Sequence, residues 1–312
     1  MKFRVIFLKK THLYYAVGAL TLLTLLIVLL SNKRPTPAFN YVLDNTTKKA
    51  DLNGDGKEDI LYIKTENNKY YLQVNTQYAS LYLQPDKRLN TVGTYYPYCP
   101  MRLTLKDISR NKTPEIFIQA LDNGKQIQHI FNWNSNKFED IFCSSNSIMG
   151  FSDSGNSKTP QFFSGTLGDI KIYLTNYMLI GSKLETIKYP QKDNFMGKDS
   201  IYSFIKYIQS LPEGEAAMPK EIFCDGLSGK DLALIGKLAG ENNTYTFQNA
   251  TFSDNKWNKV GKPTDVTWSI SFKGTSNTTK DLMKNYTVNI KLRPEGEDTD
   301  VFYFKIYSMS LE

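Results

Sequence analysis

Four oxygen-bearing side chains alternate along one short stretch of the chain, with two glycines between them. They are Asp51, Asn53, Asp55 and Asp59. Calcium takes about six to eight oxygen ligands on a flexible loop, and Gly54 and Gly56 allow a turn tight enough for these oxygens to converge. Three carboxylates this close repel each other without a cation. The stretch therefore predicts a calcium site, and the alternative is a polar turn between two strands that holds no metal.

The residues after this stretch exclude a helix-loop-helix calcium site. Such a site needs a carboxylate at its twelfth position and a helix behind it. The twelfth position here is Tyr62, and residues 60–63 (Ile-Leu-Tyr-Ile) have the pattern of a strand. Asp59, at position nine, is the closing carboxylate instead.

The pattern Asp-x-Asn-Gly-Asp-Gly-x-x-Asp before an apolar strand resembles the FG-GAP/VCBS calcium loops of integrin-type β-propeller blades. The resemblance covers about residues 41–190 and is specific only at this first loop. It implies bound Ca2+ and a fold of propeller-type blades. The ligands that it implies are the side chains of Asp51, Asn53, Asp55 and Asp59 and the backbone carbonyl of Lys57.

Two weaker copies of the loop follow, at spacings of about 45–55 residues, which is close to one propeller blade. The ligand positions of the second copy are Asp107, Ser109, Asn111 and Glu115. Those of the third are Asp153, Gly155, Ser157 and Gln161. Carboxylates become fewer along the series, and calcium affinity depends on ligand charge. We therefore expect calcium at the first loop only. The second is at most a weak metal loop, because Arg110 and Lys112 oppose a cation, and the third is a bare turn.

An uncharged, apolar run near the N-terminus predicts a membrane anchor. Residues 14–30 carry no charge, and Leu13 and Ser31 extend the run to a length that can span a bilayer. Basic residues precede it, which favours a cytoplasmic N-terminus and a body outside the cell membrane. These are Lys2, Arg4, Lys9 and Lys10. We predict an uncleaved, single-pass signal anchor that contacts lipid through residues 13–31; the alternative is a signal peptide cut at an atypical site.

Residues after about 192 have a different pattern from the repeats. Apolar residues at helical spacing predict a helix over 201–211, capped by Asp199 or Ser200, and Ser228 with Asp231 predicts a capped helix over 232–238. Alternating apolar and polar residues then predict an antiparallel sheet. Its strands are expected at 245–252, 266–272, 286–292 and 301–310. This order of elements resembles a cystatin-like or nuclear-transport-factor-like cone.

Together these patterns predict a mainly β fold with one transmembrane helix, in which FG-GAP/VCBS-like β-propeller-type blades precede an α+β antiparallel-sheet domain. Three blade-like units are too few for an ordinary closed ring. Either a fourth blade lies within 165–195, or the units form a short stack of sheets. The expected divisions are 1–31 (cytoplasmic N-terminus and anchor), 32–40 (stalk), 41–192 (repeat domain) and 193–312 (cone-like domain).

Composition argues against nucleic-acid binding and against a structural zinc site. The net charge of +7 is spread along the chain, and outside the first ten residues there is no basic and aromatic stripe of the kind that binds nucleic acid. The three cysteines, Cys99, Cys143 and Cys224, form no Cys-x-x-Cys pair, which argues against structural zinc. Cys99 and Cys143 either pair in an oxidising compartment or are buried free thiols.

No common catalytic motif occurs in the sequence, and the only histidines are His12 and His129. We therefore expect a non-catalytic binding, adhesion or envelope-assembly module whose partner is a protein or a cell-envelope polymer. The alternative is a sensor or accessory subunit whose C-terminal domain binds a small ligand or a partner protein. A deep pocket in the cone would favour the alternative, and a filled cone would favour the first function.

Overall fold

The computed structural model describes five parts of the chain: residues 20–24, 47–153, 160–188, 194–213 and 217–312. Met1–Asn40 forms one compact unit and Tyr41–Glu312 another. Residues 20–24 are helical, and the rest of the expected anchor and all of the expected stalk lie outside the described residues. In the parts described, no helix combines the length and apolar character needed to cross a bilayer.

Three antiparallel four-stranded units, here called blades 1 to 3, follow one another along the chain. Blade 1 contains β1 (Thr47–Ala50), β2 (Asp59–Glu66), β3 (Lys69–Asn75) and β4 (Ser80–Tyr82). Blade 2 contains β5 (Arg102–Lys106), β6 (Glu115–Asp122), β7 (Lys125–Asn134) and β8 (Lys137–Ser144). Blade 3 contains β9 (Ile148–Ser152), β10 (Gln161–Leu167), β11 (Ile172–Ile180) and β12 (Lys183–Thr186). Each of the three loops with the ligand pattern connects the first two strands of its blade.

The C-terminal region contains two helices and four long antiparallel strands, as its pattern predicts. The helices are α1 (Lys198–Ser210) and α2 (Gly229–Gly240), and short 3-10 turns form at Phe195–Gly197 and Lys220–Ile222. The strands are β13 (Asn243–Trp257), β14 (Pro263–Ser276), β15 (Met283–Pro294) and β16 (Phe304–Leu311).

The helix caps agree with the sequence at one helix and differ at the other. At α2, the Oγ of Ser228 accepts a hydrogen bond from the backbone N–H of Asp231 at 3.2 Å, which confirms that cap. At α1, the cap position is Gly197, so the expected cap at Asp199 or Ser200 is wrong. Ser200 instead donates its hydroxyl to the Phe304 carbonyl at 2.5 Å, which ties the first turn of α1 to β16.

Blade 3 and the C-terminal strands form one eight-stranded sheet. Strand β9 pairs in parallel with β13, with Ile148 opposite Ala250 and Phe151 opposite Ser253. Strands on both sides of the expected boundary at 192/193 therefore share a sheet. Residues 165–186 complete blade 3 and add no fourth blade, and none of the sheets formed by the described residues closes on itself. The protein is mainly β, with its blades arranged as an open stack.

Apolar side chains fill the space between successive layers. Blade 1 packs on blade 2 through residues such as Leu61, Leu72, Ile116 and Ile118. Blade 2 packs on blade 3 through aromatic rings, with Phe117 4.7 Å from Phe151 between ring centres. The helices cover the eight-stranded sheet, and side chains including Phe204, Phe252 and Trp268 fill the interior of the expected cone with no solvent exposure.

Polar side chains also join blade 2 to the eight-stranded sheet. The guanidinium of buried Arg102 donates to the Ser269 carbonyl at 2.9 Å and to the Ser271 hydroxyl at 2.7 Å. The amide of Gln119 donates to the Ala250 carbonyl at 3.3 Å, and further along the blade the amide of Gln128 donates to a β9 carbonyl. Buried polar groups need such partners, so blade 2 and the sheet meet in one specific register.

All three cysteines are free thiols. Of the two alternatives for Cys99 and Cys143, the structure therefore has unpaired thiols. Burial raises the pKa of Cys99 to about 11, which keeps this thiol protonated and unreactive at neutral pH.

Candidate metal centre in the blade loops

The loop between β1 and β2 wraps its backbone around the carboxylate of its first residue. Gly54 and Gly56 have φ angles of 76° and 84°, in the left-handed region that glycine adopts readily. Their backbone N–H groups donate to Oδ1 and Oδ2 of Asp51 at 2.7 and 2.9 Å. The two glycines that the sequence singles out therefore set the course of the loop.

Two further side chains of the predicted site are held by the backbone of the same loop. Asn53 Oδ1 accepts the N–H of Asp55 at 2.9 Å, and Asp55 Oδ1 accepts the N–H of Lys57 at 2.8 Å. The amide of Asn53 also donates to Asp55 Oδ2 at 3.2 Å. Each of these acceptor oxygens has a second lone pair, so these hydrogen bonds fix the side chains and leave lone pairs for a ligand.

Asp59 closes the loop from the first position of β2. Its side chain is 1% exposed, and its Oδ2 accepts the backbone N–H of buried Leu52 at 2.9 Å. Burial raises the pKa of Asp59, and the nearby carboxylates of Asp55 and Asp51 raise it further. The charged form of Asp59 is therefore unfavourable in the protein alone, and a bound cation would remove that cost.

Basic side chains do not neutralise these three carboxylates. Within residues 47–153, 160–188, 194–213 and 217–312, no lysine, arginine or histidine lies within ion-pair distance of Asp51, Asp55 or Asp59. Lys57, in the same loop, directs its ammonium group to the side-chain oxygen of Gln77 instead. The loop thus keeps a concentrated negative charge.

The donors present fit a hard cation. Three carboxylates, the amide oxygen of Asn53 and the carbonyl of Lys57 are all oxygen ligands, which calcium prefers. No group of three or more His, Cys, Asp or Glu side chains among the described residues is already arranged around a single point. A cation would have to draw the loop oxygens closer together.

The loop between β5 and β6 repeats three hydrogen bonds of the first loop at equivalent positions. Glu115 Oε2 accepts the N–H of Ile108 at 2.8 Å, as Asp59 does from Leu52. Asp107 Oδ2 accepts the N–H of Lys112 at 2.9 Å, as Asp51 does from Gly56. Asn111 Oδ1 likewise accepts the N–H of Thr113 at 2.8 Å. Three residues of the second predicted set therefore repeat the arrangement of the first, whereas the hydroxyl of Ser109 donates to Asp107 Oδ1 at 3.2 Å and does not repeat the contact of Asn53.

The backbone of the second loop follows the same path as that of the first, although it has no glycine at the corresponding positions. Arg110 and Lys112 occupy the positions of Gly54 and Gly56, with φ angles of 57° and 73°. A residue with a side chain pays about 1–2 kcal/mol for a left-handed conformation. The hydrogen bonds and the burial of Ile108 offset this cost, and they explain how two loops of such different sequence share one backbone path.

Glu115 is the most deeply buried acid of the second loop, with 0% exposure. Burial raises its pKa. Its Oε1 is buried and accepts no hydrogen bond from the described residues. An unpaired buried oxygen of this kind is costly, and either a proton on the carboxyl group or a bound cation would relieve it.

The third loop is only partly described, because residues 154–159, including Gly155 and Ser157, lie outside the described residues. Its first carboxylate, Asp153, pairs with Arg110 of the second loop. Gln161, at position nine, accepts a hydrogen bond from the amide of Asn176 at 2.8 Å. The guanidinium thus gives Asp153 a positive partner without a metal.

Sequence analysis missed one residue that holds the third loop. Asp254, on β13, accepts the backbone N–H of Asp153 at 3.0 Å, the hydroxyl of Ser152 at 2.9 Å and the indole N–H of Trp257 at 3.0 Å. It lies about 100 residues along the chain from that loop, and no local pattern connects the two positions. Only the pairing of β9 with β13 brings them together.

The raised pKa values give a prediction about pH in calcium-free buffer. An acid whose pKa is raised by folding stabilises the protein while it is protonated, and this contribution is lost as the pH rises through its folded pKa. The double variant Asp59→Asn, Glu115→Gln keeps an acceptor oxygen at each site but carries no charge there. We therefore expect it to gain stability relative to the unmodified protein between about pH 4 and pH 7. Urea unfolding at several pH values measures this difference.

The prediction concerns how the difference in unfolding free energy between the double variant and the unmodified protein changes with pH. Acids whose pKa is lowered by ion pairs or hydrogen bonds, such as Asp231 and Glu295, destabilise both proteins on acidification and cancel in the comparison. A difference in unfolding free energy that stays constant from pH 4 to pH 7 would show that neither buried acid titrates as proposed.

Comparison with known proteins identifies no family. No family model matches the chain, and no curated protein matches it. Among solved structures, the chain is similar to Bdellovibrio bacteriovorus Bd1075, with 6% sequence identity and a TM-score of 0.27. That match covers 60% of this chain and 89% of the other. A TM-score of this size does not establish a shared fold.

Proposed function

We propose that the chain is a membrane-anchored, extracytoplasmic calcium-binding protein that acts as a non-catalytic binding, adhesion or envelope-assembly module. The observation that carries the proposal is the loop between β1 and β2, whose oxygens carry a concentrated charge that no basic side chain of the described residues neutralises. Three of these hydrogen bonds recur between β5 and β6. A relationship to FG-GAP/VCBS repeats, with propeller-type blades, is part of the proposal.

Calcium would bind through the side chains of Asp51, Asn53, Asp55 and Asp59 and the carbonyl of Lys57. It would supply positive charge where Asp59 is buried beside two other carboxylates. The first loop also lies against the second: a Cβ placed on Gly54 would be 2.8 Å from the hydroxyl of Thr113. An ion in the first loop would therefore stiffen the edge where blades 1 and 2 meet.

Two observations support a non-catalytic module over an enzyme or a ligand sensor. His129, the histidine in the described residues, is fully buried with its Nδ1 2.6 Å from buried Asp140, so substrate has no access to it. The space between the helices and the eight-stranded sheet is filled by Phe204, Phe252, Trp268 and their neighbours. A filled cone favours scaffolding over small-molecule sensing.

The location outside the cell membrane rests on the sequence. The uncharged run at 13–31 follows a basic segment, which favours a tether with the body outside. Extracellular calcium is concentrated enough to fill even a weak site. The partner proposed for the exposed body is a protein or a cell-envelope polymer, and nucleic acid is not proposed.

Calcium titration of the full chain in detergent tests the proposal through the melting temperature. A ligand at about 100 times its dissociation constant stabilises a protein by about 2.7 kcal/mol, so we expect a rise of several degrees. The double variant Asp55→Ala, Asp59→Ala should show no rise. Glu58→Ala removes an exposed acid of the same loop that is not a proposed ligand, and it should respond as the unmodified protein does.

Two results would contradict the metal assignment. One is a melting temperature that calcium leaves unchanged in the unmodified protein. The other is an equal rise in the Asp55→Ala, Asp59→Ala variant, because the ion would then bind elsewhere.

A further inference from the structure

Blade 1 carries a cavity of about 510 Å³ that the calcium site does not use. It lies between the ends of β2, β3 and β4 and the segment that follows β4. Six of its lining residues matter here: Lys64, Tyr71, Tyr82, Gln84, Asn90 and Thr91. Aromatic rings and polar groups therefore line the same space.

Strand pairing places the two tyrosines side by side. Tyr71 and Gln73 lie two residues apart on β3 and so point to the same face. Gln73 is directly opposite Tyr82 on β4, and Lys64 on β2 is directly opposite Tyr71. Tyr71 and Tyr82 are therefore diagonal neighbours, at a spacing of about 7–8 Å.

Both rings are open to solvent. Tyr71 is 41% exposed and Tyr82 is 53% exposed, whereas Leu72 and Val74 on the same strand are buried. Tyr62, the third tyrosine on this face of the sheet, is partly buried. Tyrosine offers a large, rigid surface with a polar end at a low entropic cost, which is why it is enriched at binding surfaces.

Polar groups surround the two rings. The ammonium of Lys64 donates to Gln73 Oε1 at 2.5 Å and lies 5.8 Å from the centre of the Tyr82 ring. Gln84, Asn90 and Thr91 add amide and hydroxyl groups from the segment after β4. The charged lining residues are two lysines and one glutamate, so the cavity is close to neutral.

We propose that this cavity binds a saccharide chain. A sugar ring has an apolar C–H face that packs on an aromatic ring and a rim of hydroxyls that bond to amides, hydroxyls and ammonium groups. Two neighbouring rings with such groups between them match that chemistry. A nucleic acid or polyphosphate would need a cluster of basic side chains, and an apolar lipid would need a dry, apolar lining.

The proposal specifies the chemical class of the cell-envelope polymer proposed above as a partner. It rests on the proposed location of residues 41–312 outside the membrane. It does not depend on calcium. Titration calorimetry of the full chain in detergent tests it, with three hexasaccharides as probes: β-1,4-linked N-acetylglucosamine, β-1,4-linked glucose and hyaluronan. A polyphosphate chain and an extended Gly-Ser peptide are the non-saccharide probes.

We expect at least one hexasaccharide to bind, and Tyr71→Ala or Tyr82→Ala to weaken that binding about tenfold, which corresponds to the loss of one ring contact. Tyr71→Phe and Tyr82→Phe keep the rings and should bind nearly as well as the unmodified protein. Tyr78→Ala removes a tyrosine that is 79% exposed on the same blade but lies outside the cavity, and it should bind normally. Gln84→Ala, at the exposed rim, should weaken binding several-fold without disturbing the sheet.

Binding of none of the three hexasaccharides, or binding that Tyr71→Ala, Tyr82→Ala and Gln84→Ala all leave unchanged, would overturn the proposal. Binding of polyphosphate or peptide alone would also overturn it. Each titration is repeated with calcium and with EDTA. Saccharide binding without a calcium effect on the melting temperature would support the saccharide site and contradict the metal site. A calcium effect without saccharide binding would support the metal site and contradict the saccharide site.

Discussion

Trp268→Ala should lower the free energy of unfolding by about 3–5 kcal/mol, as expected when a large aromatic core residue is truncated. Trp268 is fully buried and stacks on Phe252, with 4.5 Å between ring centres. Its indole N–H donates to the Met196 carbonyl at 2.8 Å. The substitution therefore leaves a cavity between the sheet and the helices and an unpaired carbonyl at the start of α1. Urea unfolding measures the loss.

Trp257→Ala is the matched control for this substitution. Trp257 lies at the end of β13 and is 40% exposed, and its indole N–H donates to Asp254 at 3.0 Å. We expect a loss of about 1 kcal/mol, the typical value of one hydrogen bond. Equal losses for the two tryptophans would show that the space under the helices is not packed as described.

Asp140→Ala should also destabilise the protein by about 2–5 kcal/mol, because two groups lose their hydrogen-bond partner, at about 1–3 kcal/mol each. Asp140 Oδ2 lies 2.6 Å from Nδ1 of His129 and accepts the backbone N–H of Asp86 at 2.8 Å. Without this carboxylate, a buried imidazole and a backbone N–H lose their partner. The segment after β4 would also lose a hydrogen bond that holds it to blade 2.

Two variants separate the contribution of this pair from a general effect on β8. Asp140→Asn keeps an acceptor oxygen and should cost clearly less than Asp140→Ala. Glu139→Gln changes the neighbouring residue, whose ion pair with Lys137 is exposed to solvent, and should leave the melting temperature unchanged. The interpretation fails if Glu139→Gln and Asp140→Ala shift the melting temperature equally.

Local patterns were sufficient to locate many elements of this fold. Residues 134–136 (Asn-Ser-Asn) have the composition of a hairpin turn, and β7 indeed ends at Asn134 and β8 begins at Lys137. Trp133 and Phe138 pack across it with 5.0 Å between ring centres, as expected of hairpin side chains. Alternation of apolar and polar residues also located the four C-terminal strands, because one face of that sheet packs on the helices.

The joining of blade 3 to the C-terminal sheet was not predictable in the same way. Ile148 and Ala250 are adjacent in space but about 100 residues apart in sequence. Each strand carries the pattern of its own faces, and no residue of β9 or β13 records which strand pairs with its edge. The choice between a fourth blade and an open stack could therefore only be made from coordinates.

The candidate site was visible in sequence where glycine marks the turn. Spacing alone pointed to Asp51, Asp55 and Asp59, whose loop contains Gly54 and Gly56. The second loop has arginine and lysine at those positions, which hides how closely its backbone follows the first. A usable signal was the apolar residue at position two, Leu52 or Ile108, which is buried in both loops and donates its N–H to the acid at position nine.

The polar contacts between blade 2 and the eight-stranded sheet have a mechanical consequence. The hydrogen bonds from Arg102, Gln119 and Gln128 are directional and lose their partners after a small displacement. Shear along this layer must therefore break several bonds together. A force on blade 1 that is transmitted through blade 2 would be resisted at this layer until these hydrogen bonds break.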